Sequence, residues 1–275
     1  MTISIVTDSL ADLPQQLADT LEIAVVPLSV NFGMESYRTG LDITSAEFYV
    51  RLVTAKTLPT TSQPSVGQFT KTYSAIANRG HDIVSIHASS KLSGTFNAAL
   101  QAAKEILGAR VKVIDTSSAS LAEGLVVTAA ARTAQAGGSF DEVVAAAQDA
   151  VSKTDVYFVL DNLEYLQKGG RIGKASAFIG GLLSIKPVLT LRNGEVHPHE
   201  RVRTHAKALA RLKEIVQASA PYAEAAVLSG TIPDQILVET VRPLAPDLPL
   251  ITGVVGPAIG TYTGPGVLGV AFRRH

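Results

Sequence analysis

Apolar residues along the chain fall into two textures: short β-branched runs, and longer stretches in which they recur every three or four positions. Ile3–Thr7 (ISIVT) is the first run, ending at Asp8-Ser9. The following DLPQQLADTL predicts a helix with Asp12 as its cap and Pro14 in the first turn. AVVPLSV predicts a second strand and NFGMESYRTG a polar loop, after which Asp42 or Thr44 opens a helix through EFYVRLV. Leu58–Val66 reads as a proline-bounded extended segment and Gln68–Arg79 as a helix. The stretch from Asp82 to Gly108 gives a strand (DIVSIHA), a polar loop (SSKLSGTFN) and a helix (AALQAAKEILG). Arg110–Ile114 is a further strand ending at Asp115, and TSSAS leads into a long Ala-rich helix to Ala136. Gly137-Gly138 stop that helix, and Ser139 or Asp141 caps the next.

Strand and helix alternate over residues 1–153, which predicts an α/β unit with a mostly parallel, doubly wound sheet and flanking helices. Ligands of such sheets sit beyond the carboxyl ends of the strands. Asp8-Ser9, Ser89–Asn97 and Asp115–Ser118 all fall at such ends. From residue 154 the texture changes. VYFVLDNLEYLQKGGRIGK reads as a strand, a short helix and a Gly-rich basic loop, and ASAFIGGLLS is apolar nearly all round. IKPVLTLRNGEVHPHERV is a hairpin turning at Arg192-Asn193-Gly194. Thr204–Ala218 is an amphipathic helix, followed by strand, helix, strand and a glycine-rich close. Residues 154–275 therefore predict a second, α+β domain with a mixed sheet.

With 275 residues and 46% hydrophobic content, the chain is long enough to bury a sizeable core in one large or two modest domains. Lys and Arg number 24 and Asp and Glu 24, without a block of one sign, which argues against a nucleic-acid surface. The lack of Cys excludes disulfides and thiolate metal sites and fits a reducing compartment. The start MTISIVTDSLADLP has no signal-peptide pattern, and no run of apolar residues is long enough to span a bilayer. A cytoplasmic protein is the expectation.

The loop Ser89–Asn97 carries Ser89, Ser90, Ser93, Gly94, Thr95 and Asn97 at a predicted helix start. Unpaired N–H groups and the positive dipole end favour an anion there, whereas capping alone needs one hydroxyl. Gly264-Pro265-Gly266-Val267-Leu268-Gly269 matches G-x-G-x-x-G but lacks a following helix, so it reads as a turn before an edge strand. His197 and His199 share a strand face without a carboxylate pair nearby, which fits a surface hairpin better than a metal. His87 reads as packed rather than catalytic. Gly169–Gly173, between Lys168 and Lys174, is an anion nest, an exposed docking loop or a solvated turn. Asp8, Ser93 and Asp115 form the alternative reading, an enzyme acting on a phosphorylated or acylated small molecule as a hydrolase or transferase.

Several segments together resemble the DegV family, in particular the fatty-acid-binding subunits of bacterial fatty acid kinase. They are VTDSLADLP (6–14), TSQPSVGQF (61–69), SSKLSGTFNAA (89–99), VIDTSSAS (113–120), LDNLEYLQKGGRIGKASAFIGGLLSIKPVL (160–189), the Arg203 segment and GPAIGTYTGPGVLGV (256–270). The resemblance implies two intertwined domains with a long-chain fatty acid between them, and segment 58–69 packing with the second domain. It implies a carboxylate site of Thr61, Ser62, Ser93, Gly94, Asn97 and Tyr262, and an acyl-tail pocket including Phe178, Ile179, Leu182, Leu183 and Ile185. Gly180-Gly181 would permit close approach. It further implies a carrier with no cofactor and no catalysis of its own. Its expected partners are a fatty acid kinase catalytic subunit, met at Arg171 and Arg203, an acyl-phosphate-using acyltransferase and transiently a membrane surface. In one position the chain departs from the family's usual pattern: Tyr262 stands where His is common. A phenol donates a hydrogen bond but titrates near ~10 and cannot act as a cation or base at neutral pH.

Overall fold

The computed structural model describes residues 2–179, 185–232, 235–244 and 250–275. Four parallel strands form the first sheet: β1 (Ile3–Asp8), β2 (Ala24–Val26), β6 (Asp82–His87) and β7 (Val111–Asp115), ordered β2-β1-β6-β7. All six β6 residues are buried, as an inner strand covered on both faces requires. The sheet is wound by helices α1 (Gln15–Thr20), α3 (Val66–Ala77), α4 (Thr95–Ala103), α5 (Leu121–Gln135) and α6 (Phe140–Lys153). Ser65 caps α3 and Ser139 caps α6, each in a capping box with the Gln or Glu three residues on.

The second sheet has the order β10-β9-β8-β13-β11-β12. Its strands are β8 (Thr154–Val159), β9 (Lys186–Arg192), β10 (Glu195–Val202), β11 (Glu224–Ser229), β12 (Leu250–Val254) and β13 (Leu268–Arg273). Only β11 and β12 run parallel; the other neighbours are antiparallel. The hairpin β9–β10 turns on Asn193 (φ 51°) and Gly194 (φ 79°), the left-handed pair its Asn-Gly dipeptide predicts. Helices α7 (Glu164–Lys168), α8 (His205–Ser219), α9 (Gln235–Val241) and α10 (Pro257–Thr263) complete this half.

Two strand assignments differ from expectation. AVVPLSV is two strands broken at Pro27, and the polar stretch after it is a hairpin. There β3 (Ser29–Phe32) and β4 (Glu35–Arg38) join β5 (Thr60–Ser62) in a small antiparallel sheet, packed on α2 (Ser45–Thr54) by Val30, Phe48 and Leu52. The pattern hid this sheet because β4 carries four polar or half-exposed residues. The final strand β13 is not an edge: it lies between β8 and β11 and its first five residues are buried. The apolar run Val267–Phe272 fits that place, since an inner strand needs apolar side chains on both faces.

Helix α5 sits between the sheets. Leu121, Ala122 and Leu125 join the core under the second sheet, whereas Val126, Val127, Ala130 and Ala131 join the core under the first. Buried Glu224 of β11 takes Arg132 of α5 and, at 3.4 Å, Arg273 of β13. No helix among the described residues is long and apolar enough to cross a membrane.

Truncating Leu125, fully buried in α5, removes contacts on the shared helix. Leu125→Ala is expected to destabilise the fold by about 2–5 kcal/mol in urea denaturation; a loss below about 1 kcal/mol would refute the joining role of α5.

Candidate functional site

Between the carboxyl ends of the first sheet and one face of the second lies a cleft enclosing about 900 Å³ of space free of protein atoms, its mouth included. The first half contributes Leu10, Leu28, Ala88, Ala119 and Ser120, and the second contributes Val156, Phe158, Leu191, Val196, Leu228 and Val267. This wall is apolar because β8, β9 and β13 are antiparallel strands presenting alternate side chains to the seam.

One region of the cleft is polar. Thr61 Oγ1 and Tyr262 Oη are 2.6 Å apart, joining β5 to α10. The Arg171 guanidinium stacks 4.7 Å from the Tyr262 ring centroid. It also donates to the Leu92 carbonyl (3.2 Å) and the Gly169 carbonyl (2.8 Å). Ser93 follows directly, its Oγ 2.8 Å from Thr95 Oγ1. Thr61, Ser93, Arg171, Tyr262 and Thr263 all line the cleft, and Arg171 is the one charged side chain among the described lining residues. Arg171 has no acidic partner among the described residues, so it carries an uncompensated positive charge into an apolar cleft. Such a site favours an anion with a long apolar body.

Local sequence explains the arrangement. At Gly169 an added Cβ would lie 2.3 Å from Tyr262 Cδ1, so the missing side chain lets that ring seat against the loop. Gly173 (φ 51°) packs against the Val196 backbone. The basic loop is thus folded inward at Arg171, while Lys174 stays exposed and Lys168 pairs with Glu164 at 2.5 Å. On the opposite side Ser89 Oγ donates to the Gly194 carbonyl at 2.8 Å and Lys91 pairs with Glu195 at 3.3 Å, docking the β9–β10 turn onto the serine loop.

Of the residues expected to hold a carboxylate, Thr61, Ser93 and Tyr262 meet in this region. Ser62 does not: strand alternation turns it outward, where its Oγ accepts from Asn31 at 3.0 Å. Asn97 is exposed on α4 and is not part of the lining. Gly94 is the N-cap of α4, without a side-chain cap bond, and its missing Cβ makes room for Gln63. Phe178 and Ile185 pack against the core that borders the cleft, Phe178 under the Arg201 guanidinium at 4.5 Å. Ile179 is exposed, and Leu182 and Leu183, like Gly180-Gly181, lie outside the described residues. Arg203 is exposed beyond β10. Arg171, expected on the surface facing a partner, is half-buried and turned into the cleft.

The residues of the enzyme alternative are not assembled. Asp8 is buried and bonded to His87 Nδ1 at 2.8 Å; His87 Nε2 meets Ser85 Oγ, which also accepts from Tyr73. This chain of four lies inside the first sheet, away from the cleft lining, and His87 is packed edge-on against Phe69. Asp115 organises its own loops by accepting from Ser90 and Ser117 N–H groups. His197 and His199 belong to no cluster of three metal-ligating side chains among the described residues.

Comparison with known proteins decides the family. The family described as "Uncharacterised protein, DegV family" matches residues 2–275. The chain belongs to the DegV family. A DegV domain-containing protein of Streptomyces coelicolor is 42% identical over 279 residues, covering 99% of each chain. A fatty-acid-binding DegV family protein from Thermus thermophilus superposes with a TM-score of 0.90 at 36% identity, covering 100% of both chains. DegV of Bacillus subtilis, a fatty acid binding protein, gives 0.90 at 32% with 100% of both covered. The α/β architecture with a parallel and a mixed sheet is thus the DegV fold. Arg171 as the cleft's cation was missed from sequence; an isolated Arg after Gly-Gly beside an apolar segment was the available signal.

Gly169→Ala forces the Tyr262 ring off its seat. It is expected to cost about 1–3 kcal/mol in chemical denaturation, and unchanged stability would contradict the packing described.

Proposed function

We propose that the cleft binds a long-chain fatty acid, with its carboxylate among Thr61, Ser93, Tyr262 and Arg171 and its tail along the apolar wall. The observation that carries this reading is the Arg171 cation, the one charged side chain among the described lining residues, beside the hydroxyls of Thr61, Ser93 and Tyr262 in a mostly apolar cleft. Each buried methylene contributes about 0.8 kcal/mol, so the tail supplies affinity while the head group sets orientation. The kinship with fatty-acid-binding DegV proteins supports the same ligand class.

In this reading the protein is a carrier without turnover of its own. A separate fatty acid kinase phosphorylates the carboxylate to an acyl phosphate, and an acyltransferase consumes the product. Arg203, exposed beyond β10, is available to such a partner, whereas Arg171 serves the head group. Tyr262 in place of His supplies a hydrogen bond to the head group.

Native mass spectrometry of the purified, delipidated protein incubated with palmitate is expected to show one bound fatty acid. A mass of the protein alone under saturating palmitate would overturn the proposal. Ser93→Ala removes a hydrogen bond to a charged group, worth about 1.5–3 kcal/mol, and is expected to weaken palmitate binding by roughly 10- to 100-fold. Arg171→Ala is expected to reduce the preference for palmitate over hexadecanol by at least ~10-fold, because only the acid carries the charge that Arg171 meets. An unchanged preference would remove Arg171 from the site. Tyr262→His should alter palmitate affinity or its phosphorylation by the kinase; identity in both would show that this position is indifferent.

A further inference from the structure

Asp12, expected to cap α1, does not: Pro14 stands at that position without a side-chain cap bond. The Asp12 carboxylate instead bridges the two halves of the molecule. One oxygen accepts from the Gly256 N–H at 3.0 Å, where Gly256 is the N-cap of α10. The other accepts from Ser120 Oγ at 2.6 Å, where Ser120 precedes α5 and lines the cleft. Both residues hold backbone conformations unusual for an L side chain: Asp12 at φ 50° and Ser120 at φ 59°, ψ −151°. Strain of this kind persists where surrounding structure imposes it and gathers at functional sites. Helix α10 begins at this contact and carries Ile259, Tyr262 and Thr263 into the cleft.

We propose that Asp12 is a positioning residue of the binding site, a proton-linked clasp that holds α10 and Tyr262 against the first half, so that ligand exchange requires its release. The inference rests on the cleft being a fatty-acid site. The titratable groups facing Asp12 are Asp8, Glu123 and Tyr49. Asp8 is bonded to His87, and burial with the nearby Asp8 charge holds Glu123 well above the carboxylate range. Tyr49 is pushed up by burial and by Asp12 itself, and its hydroxyl has no hydrogen-bond partner among the described residues. No Lys, Arg or His among the described residues pairs with Asp12. Half-buried among acids, it is raised from 3.8 to about 7, chiefly by desolvation and against the opposing bonds from Ser120 and Gly256.

The sign follows from linkage. With the clasp released into water, Asp12 titrates in the ordinary range near ~3.9. Between that value and about 7 the closed form holds a proton that the open form has lost. Closure is therefore most favourable on the acid side, loses ground as pH rises towards 7 and then levels off. Ligand release should be about tenfold faster at pH 8 than at pH 6.

The test measures dissociation of cis-parinaric acid, a fluorescent fatty acid, between pH 6 and 8, together with a ¹³C-carboxyl NMR titration of the free protein. The expected result is a roughly tenfold rise in off-rate and a carboxyl resonance titrating near 7 that is absent from Asp12→Asn. Asp12→Asn keeps an acceptor for Gly256 without a titrating group, and its off-rate should be flat across the range. Ser120→Ala loses a bond that favours the charged form, and should keep the pH dependence with its midpoint moved upward. A flat profile for the unaltered protein, or an equally steep one for Asp12→Asn, overturns the clasp. If parinarate fails to bind at any pH, the fatty-acid reading falls instead. The NMR titration still judges Asp12, since the lack of any carboxyl resonance near 7 that disappears in Asp12→Asn refutes the proton linkage.

Discussion

Helix α5 has to be apolar on nearly every side, because two separate sheets close on it and neither core is complete without it. Ten of its fifteen residues are buried, including Leu121 and Leu125 towards the second sheet and Val126 and Ala130 towards the first. A helix clothed in this way is not made to face water, and each half covers a side of α5 that the other leaves open. The seam is fixed along the length of α5 and is left unfilled beyond its N-terminus. There the carboxyl ends of β1, β6 and β7 approach the second sheet, and the cleft opens at that point.

That origin accounts for the character of the cleft. Its walls are faces of two sheets and are apolar by the same alternation that makes the sheets pack. Its polar groups come from loops, helix α10 and the edge strand β5, the elements that cross the seam. Polar side chains deep in the first sheet are kept apart by pairing with one another, as Asp8, His87, Ser85 and Tyr73 do. A buried network satisfied in this manner gives a rigid floor and leaves Arg171, Ser93, Thr61 and Tyr262 as polar groups facing the cleft.

The two groups that hold α10 differ in kind. At one end Tyr262 is fixed by Thr61 and by the Arg171 guanidinium, contacts between side chains that also face the cleft. At the other, Gly256 is fixed by the half-buried carboxylate of Asp12. The same short helix is thus held from opposite ends by contacts of different chemistry.

Much of this was legible in the sequence, for a physical reason: strand and helix periods depend on near neighbours. The β1, β6 and β7 strands, the capping of α3 and α6 and the Asn-Gly turn of β9–β10 follow from residues within a few positions of each other. So does the cluster of hydroxyls at the carboxyl end of β6, and the joint motifs sufficed to place the chain in its family. Tertiary structure decided what depends on distant partners. Thr61 faces the cleft and Ser62 does not because β5 pairs with β3 in a sheet whose polar strands carry no periodic signal. Arg171 turns inward because Gly169 yields space to a tyrosine far along the chain. Asp12 reads locally as a helix cap, and becomes a bridge only because folding brings Ser120 and Gly256 to its two oxygens.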